Sequence, residues 1–125
     1  MQHRILKYRA AREYFFREGC FINELSNRPD DAALSIARCR LEAGEGTRLH
    51  KLRDTVERYL ILQGVGWVEV GEEAPRQVCA GDVVIIPAEC PQRISNTGDE
   101  ALLFLALCTP RFTSECYVDL VGESL

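Results

Sequence analysis

Residues 44–64 read GEGTRLHKLRDTVERYLILQG, and residues 81–96 read GDVVIIPAECPQRISN. In the first stretch His50 comes six residues after Gly44, and Glu57 comes seven residues after His50. Short apolar runs alternate with turn-forming residues in both stretches, a pattern typical of β-strands separated by tight turns. Many short strands at close spacing predict a sandwich or a barrel rather than a parallel sheet with crossover helices.

The same alternation continues on both sides of these stretches. The predicted strands span residues 32–41, 57–63, 67–70, 77–79, 83–86, 92–96 and 101–107. Helix is expected only near the ends of the chain. Residues 10–18 have a helix-favouring composition, and Gly19 would end that helix. Residues 114–120 are expected to form a terminal turn capped by Ser114.

The two quoted stretches resemble the paired motifs of the cupin superfamily, which consists of small double-stranded β-barrels. The first family motif, Gly-x5-His-x-His-x(3,4)-Glu-x6-Gly, corresponds to Gly44 through Gly64. The second, Gly-x5-Pro-x-Gly-x2-His-x3-Asn, corresponds to Gly81 through Asn96, and the spacing is kept at every position. The resemblance implies an all-β fold, a double-stranded β-helix (jelly-roll) barrel of the cupin type with short helical segments near the termini.

A chain of 125 residues has the length of about one domain. We therefore expect a single cupin domain over residues 1–125. Within it, residues 1–30 would form an N-terminal extension with a short helix and a strand, residues 31–110 the barrel, and residues 111–125 a C-terminal tail.

The resemblance also implies where a metal would bind. In cupins, two histidines and a glutamate of the first motif, with the histidine of the second, typically ligate one ion inside the barrel. His50 and Glu57 occupy two of these positions. Leu52 stands where the second histidine belongs, and Gln92 stands where the last one belongs. The implied metal ligands are thus His50, Glu57 and Gln92, of which the Gln92 amide oxygen is the weakest.

Other side chains are expected around these ligands. Because side chains alternate along a strand, Arg48 and Leu52 should share the face of His50, and the family register places Tyr59 nearby. Arg48, Leu52 and Tyr59 are the expected substrate-binding residues, with Arg48 anchoring an anionic group, and Glu57 is the expected catalytic residue. Arg111 and Phe112 could reach the pocket mouth, although a packed turn is the favoured interpretation of this segment because proline commonly ends a strand.

Two functions remain open at this point. In one, the protein binds a small polar or anionic molecule through a divalent metal (Zn, Fe, Ni, Mn or Co) and acts as an enzyme such as a dioxygenase, an isomerase or a lyase. In the other, it is a non-catalytic ligand-binding or sensing cupin with no metal, in which His50, Glu57 and Gln92 hydrogen-bond one another. The fold alone does not choose between them, because one fold hosts many functions.

The amino-acid composition limits the classes of binding partner and indicates the cellular compartment. The formal net charge is −4, which argues against a protein that works on nucleic-acid phosphates. The longest apolar run, residues 101–108, is too short to span a bilayer as a helix, so no membrane partner is expected. The first residues lack the apolar core of a secretory signal, and none of the six cysteines forms a Cys-x-x-Cys pair. We expect a cytoplasmic protein with reduced cysteines.

Residues 102–107 read LLFLAL and are apolar on both faces of the predicted strand. One face fits the barrel core, and the other needs a cover. The N-terminal segment or a second subunit could supply it. The sequence therefore predicts a homodimer.

Overall fold

The protein is described from a computed structural model that covers residues 1–122. Over these residues the chain forms eleven strands and two short 3₁₀ helices. The strands are β1 (Tyr14–Phe16), β2 (Cys20–Ser26), β3 (Ser35–Leu41), β4 (His50–Leu52), β5 (Val56–Gln63), β6 (Val65–Val70), β7 (Arg76–Cys79), β8 (Val83–Ile86), β9 (Gln92–Asn96), β10 (Leu102–Thr109) and β11 (Tyr117–Asp119). The 3₁₀ helices span Ala10–Arg12 and Ser114–Cys116.

The strands form two antiparallel sheets. One has the order β1-β2-β3-β10-β5-β8, and the other has the order β11-β4-β9-β6-β7. The core lies between them and is built from both, with Ile61, Ile94 and Phe104 among its fully buried side chains. The all-β jelly-roll fold predicted from the sequence is confirmed. None of the helices in the described part of the chain is long and apolar enough to cross a membrane.

Alternation along the central strands determines what faces the interior. In β10, Leu102, Phe104, Ala106 and Cys108 are buried, while the leucines between them are only half-buried on the outer face. In β5 the buried residues are Glu57, Tyr59 and Ile61, and in β9 they include Gln92 and Ile94. The period-two pattern therefore places the polar residues of both motifs inside the barrel.

The N-terminal helix predicted over residues 10–18 is wrong. Only Ala10–Arg12 forms a 3₁₀ turn, and the chain then enters β1, which pairs with β2 as a hairpin. The aromatic run Tyr14–Phe16 fits a strand surface better than a helix, and its packing outweighs the local helix preference. Gly19 has a φ of 100° in the hairpin turn, where a Cβ would lie 3.0 Å from the Gly46 carbonyl oxygen.

The C-terminal prediction is only partly right. The helical turn is confined to Ser114–Cys116, and the chain continues as β11. Thr113 takes the N-cap position, and no side chain caps this turn, so the predicted cap at Ser114 is wrong. The last three residues of the predicted tail, 123–125, lie outside the described residues.

Two segments that flank the barrel strands meet over one end of it. Phe16 of the β1–β2 hairpin packs edge-on against Phe112, with ring centroids 5.8 Å apart, and against Tyr117 of β11 at 5.2 Å. The Arg17 guanidinium lies over the Tyr117 ring, 4.8 Å from its centroid. The hairpin thereby becomes part of the wall around the barrel interior.

Candidate functional site

A cavity of about 40 Å³ lies between the two sheets, under the hairpin. This volume can hold a few water molecules or the end of a small ligand. Its polar lining includes Glu18, Glu24, His50 and Glu57, and its apolar wall includes Leu52 and Phe104. An interior of this kind, mostly apolar with a few converging polar groups, is typical of a small-molecule site.

A chain of three buried side chains orders one side of the cavity. The Tyr59 hydroxyl donates to Oε1 of Gln92 at 2.6 Å. Nε2 of Gln92 in turn donates to Oε1 of Glu57 at 2.8 Å. Gln92 is completely buried and does not line the cavity itself. Its amide therefore holds the Glu57 carboxyl group in place from the side away from the cavity.

Of these three hydrogen-bonded side chains, Glu57 is the one whose carboxyl group faces the cavity. Its second oxygen, Oε2, lies 3.6 Å from the Cys108 thiol, which donates to it. Burial raises the pKa of Glu57, and the hydrogen bonds from Gln92 and Cys108 oppose that rise. Among residues 1–122, no lysine or arginine forms an ion pair with this carboxyl group.

His50 faces the same cavity from β4 and is only 1% exposed. Its Nδ1 lies 2.6 Å from the Arg48 carbonyl oxygen, which can only accept, so the proton is on Nδ1 and Nε2 keeps its lone pair. The ring stacks on Tyr117 with centroids 5.1 Å apart. Burial lowers the pKa of His50 and so favours the neutral imidazole, although the hydrogen bond to Arg48 opposes this.

Glu18 is a site residue that the sequence analysis missed. It follows β1 in the hairpin turn and brings Oε2 to 3.3 Å from Nε2 of His50, with its side chain 14% exposed. Burial, and after it the nearby charge of Glu57, raises the pKa of Glu18 to about 8. A period-two pattern points to it, because Tyr14, Phe16 and Glu18 all line the cavity, whereas the composition of the segment favours a helix.

Arg48, expected to bind substrate, has its side chain outside the cavity lining. Its side chain is 40% exposed, and its Nε donates to Asp119 Oδ2 at 3.0 Å. A second nitrogen donates to the Gly122 carbonyl oxygen at 3.0 Å. The reason is local: Arg48 precedes β4, which begins at His50, so the alternation of the strand does not extend back to it.

The structure distributes the other expected residues between the cavity and its surroundings. Leu52 and Tyr59 line the cavity, although the Tyr59 hydroxyl is turned to Gln92. Phe112 lines it as well, whereas Arg111 lies in an outer recess and donates to Asn27 Oδ1 at 2.8 Å.

The donor set does not fit the metal site that the two motifs imply. Leu52 offers no donor atom at the second ligand position. Both polar groups of the Gln92 amide are already engaged, one by Tyr59 and one by Glu57. Within the described part of the chain, no group of three or more His, Cys, Asp or Glu side chains is arranged to hold an ion. Of the three expected ligands, only His50 and Glu57 present a free donor to the cavity.

Comparison with known proteins agrees with this geometry at the level of the fold. Residues 37–108 match the family model of the cupin domain, Cupin_2. An uncharacterised protein of Methanocaldococcus jannaschii is 31% identical over 111 residues, which cover 87% of this chain and 88% of that protein.

Solved structures include similar chains. A protein of Thermotoga maritima, described as a predicted oxalate decarboxylase, superposes with a TM-score of 0.67 at 29% identity. That match covers 73% of this chain and 80% of the other. A Cupin 2 conserved barrel domain protein of Salinispora arenicola superposes with a TM-score of 0.73 at 20% identity, covering 87% of this chain and 90% of the other.

Proposed function

This chain belongs to the cupin domain family, and we propose that its barrel binds a small polar molecule directly, without a metal ion. The observation that carries this proposal is the chain from Tyr59 through Gln92 to Glu57. A glutamine whose amide is hydrogen-bonded on both sides orients Glu57, and its own oxygen is turned to Tyr59 instead of to the cavity. Gln92, at the fourth ligand position of the family, thus positions the Glu57 carboxyl group for ligand binding.

Two groups would contact the ligand. His50 offers a lone pair on Nε2, because its proton is held on the other nitrogen by the Arg48 carbonyl oxygen. Glu57 offers Oε2, because its Oε1 is held by Gln92. Both groups are fixed before a ligand arrives, so little conformational freedom is lost on binding. Leu52 and Tyr59 supply the adjoining wall. This arrangement suits a binding or sensing module.

A metal-dependent enzyme is the second candidate function. What favours it is that the free nitrogen of His50 and the carboxyl group of Glu57 open onto the same cavity. Zn, Fe, Ni, Mn or Co would be the ion in that case, since imidazole and carboxylate suit borderline divalent metals.

Metal analysis of protein purified without a His-tag separates these two functions. We expect substoichiometric metal in the parent protein after loading with each of the five ions. The matched control is Leu52→His combined with Gln92→His, which rebuilds the four-ligand set and should retain about one ion per chain. Stoichiometric metal in the parent protein, lost in both His50→Ala and Glu57→Ala, would contradict the metal-free proposal and establish the second candidate.

The assembly and location belong to the same proposal. We propose a cytoplasmic homodimer in which the outer faces of β5, β8 and β10 meet a second copy. Val83 is 58% exposed and Ile85 is 65% exposed on this face, next to the half-buried Leu60 and Leu105. Large exposed apolar surfaces mark contact sites. Sedimentation at micromolar concentration should show twice the 14.1 kDa chain mass, and a monomer alone would refute the dimer.

A further inference from the structure

We infer that the cavity selects a small organic cation, an alkylammonium ion whose charged head lies between Glu18 and Glu57. This inference rests on the proposed function, because it names the class of ligand for the same cavity. It follows from the charges that line the cavity, from how the two carboxyl groups are contacted, and from the apolar wall beside them.

The cavity lining carries acidic groups and no compensating cation. Glu18, Glu24 and Glu57 line it, and no lysine or arginine of residues 1–122 does. The arginines around its rim have other contacts: Arg17 donates to the Ser114 carbonyl oxygen, Arg48 is paired with Asp119, and Arg111 donates to Asn27 in the outer recess. A positively charged ligand would therefore supply the partner that the protein does not.

The two innermost carboxyl groups are contacted only by neutral groups. Glu57 accepts from the Gln92 amide and from the Cys108 thiol. Glu18 has the neutral His50 ring as its polar neighbour, with 3.3 Å between Oε2 and Nε2. A buried carboxylate without a cation is costly, and the hydrogen bonds that a charged donor makes to it are stronger than those of neutral donors.

An anionic ligand is disfavoured by the same lining. Arg48 was the residue expected to anchor an anion, and it points away from the cavity. The head group of an anion would instead face Glu18 and Glu57 with no positive partner. Like charges at short range in a poorly solvated site repel strongly.

The apolar part of the cavity favours an organic cation over a bare metal ion. Leu52, Phe104 and Ala106 form an apolar wall that offers no ligand atom to a metal ion. An alkyl chain, in contrast, would bury apolar surface against it. Phe16 and Phe112 line both the cavity and the outer recess, so the tail of a ligand could leave through this aromatic opening. The volume of about 40 Å³ restricts the enclosed part to a few heavy atoms.

Calorimetric titration of the chelator-treated protein tests this inference. The probes are methylammonium, propylammonium and pentylammonium chloride, each compared with the carboxylate and the alcohol of the same chain length. We expect at least one ammonium ion to bind about tenfold more tightly than its carboxylate and its alcohol. The titrations are run at pH 9, above the pKa of about 8 that Glu18 has without a ligand. Glu57→Gln and Glu18→Gln should each weaken that binding by about tenfold, because each replaces an ionisable acceptor with a neutral one.

Glu69→Gln is the matched control, because Glu69 pairs with Arg93 on the surface and should leave the affinity unchanged. A tighter carboxylate or alcohol, or no binding of any ammonium ion, would overturn this inference and leave the metal-free site standing. Binding of a probe only after a divalent ion is added would overturn the proposed function as well. If a glutamine variant fails to fold, the comparison of probes on the parent protein still decides.

Discussion

The two sides of the cavity satisfy their polar groups in different ways. On the motif side, Tyr59, Gln92 and Glu57 form a continuous chain of hydrogen bonds, both shorter than 3 Å. On the hairpin side, Glu18 approaches His50 at 3.3 Å and has no hydrogen-bond donor of its own among the described residues. The motif side is built as a rigid support, whereas the hairpin side keeps a carboxyl group that a ligand can engage.

This difference has an energetic meaning. Removing a member of a buried hydrogen-bonded chain leaves its neighbours unsatisfied, which costs more than the bond itself contributes. Replacing Glu18 by a neutral group removes the free-energy cost of ionising a carboxyl group that is largely buried without a cation. Substitutions on the two sides should therefore differ in both size and sign.

The largest effect is expected for Gln92→Leu. This change leaves the Tyr59 hydroxyl and one Glu57 oxygen without their partner in the core, and we expect a loss of about 3 kcal/mol in the free energy of unfolding. Urea denaturation measures it. Gln77→Leu on exposed β7 is the control and should change stability by less than about 0.5 kcal/mol. Equal effects of the two changes would refute the support role of Gln92.

The second effect concerns pH on the hairpin side. The pKa of Glu18 is 4.5 unfolded and about 8 folded, so the folded state binds more protons between these values. Stability contributed by the protonated group is present below pH 4.5 and is lost as the pH rises through 8. We expect Glu18→Gln to be more stable than the parent protein at pH 9, by on the order of 2 kcal/mol, and to match it near pH 4.5. A constant difference across this range would contradict the burial of Glu18.

A smaller difference in stability is expected between alanine substitutions in two turns, the turn that positions Glu18 and a turn without close neighbours. Gly19 and Gly44 both have positive φ, but their surroundings differ. A Cβ on Gly19 would meet the Gly46 carbonyl oxygen at 3.0 Å, whereas a Cβ on Gly44 would have nothing within 4 Å. Gly19→Ala should cost about 1 kcal/mol or more, and Gly44→Ala should cost less. Thermal melting compares the two. A larger loss for Gly44→Ala would argue against a tightly seated hairpin.

The smallest effect is expected for Arg48→Ala. The pair of Arg48 with Asp119 is exposed, and such pairs contribute at most about 1 kcal/mol. Because the side chain lies outside the cavity, affinity for any ligand should stay within about twofold of the parent value. A large loss of affinity would restore Arg48 to the binding site.

The sequence predicts the motif side well and the hairpin side poorly. His50, Glu57 and Gln92 lie on regular strands, so the period-two rule puts them inside. Arg48 lies just before β4, where that rule no longer applies. Glu18 reaches the cavity only because the aromatic β1 packs on the barrel, a tertiary contact that helix propensity does not contain.

The contacts of the Gln92 amide decide whether the cavity works without a metal. NMR of the Gln92 side-chain NH₂ group, recorded with and without Mn²⁺, reports directly on an ion in the barrel because the paramagnetic ion broadens nearby signals. We expect the Gln92 signals to keep their shift and width at one equivalent of Mn²⁺, because an ion that finds no oxygen of Gln92 free to ligate it would not stay in the barrel. Selective broadening of the Gln92 and His50 side-chain signals at stoichiometric Mn²⁺ would contradict the account.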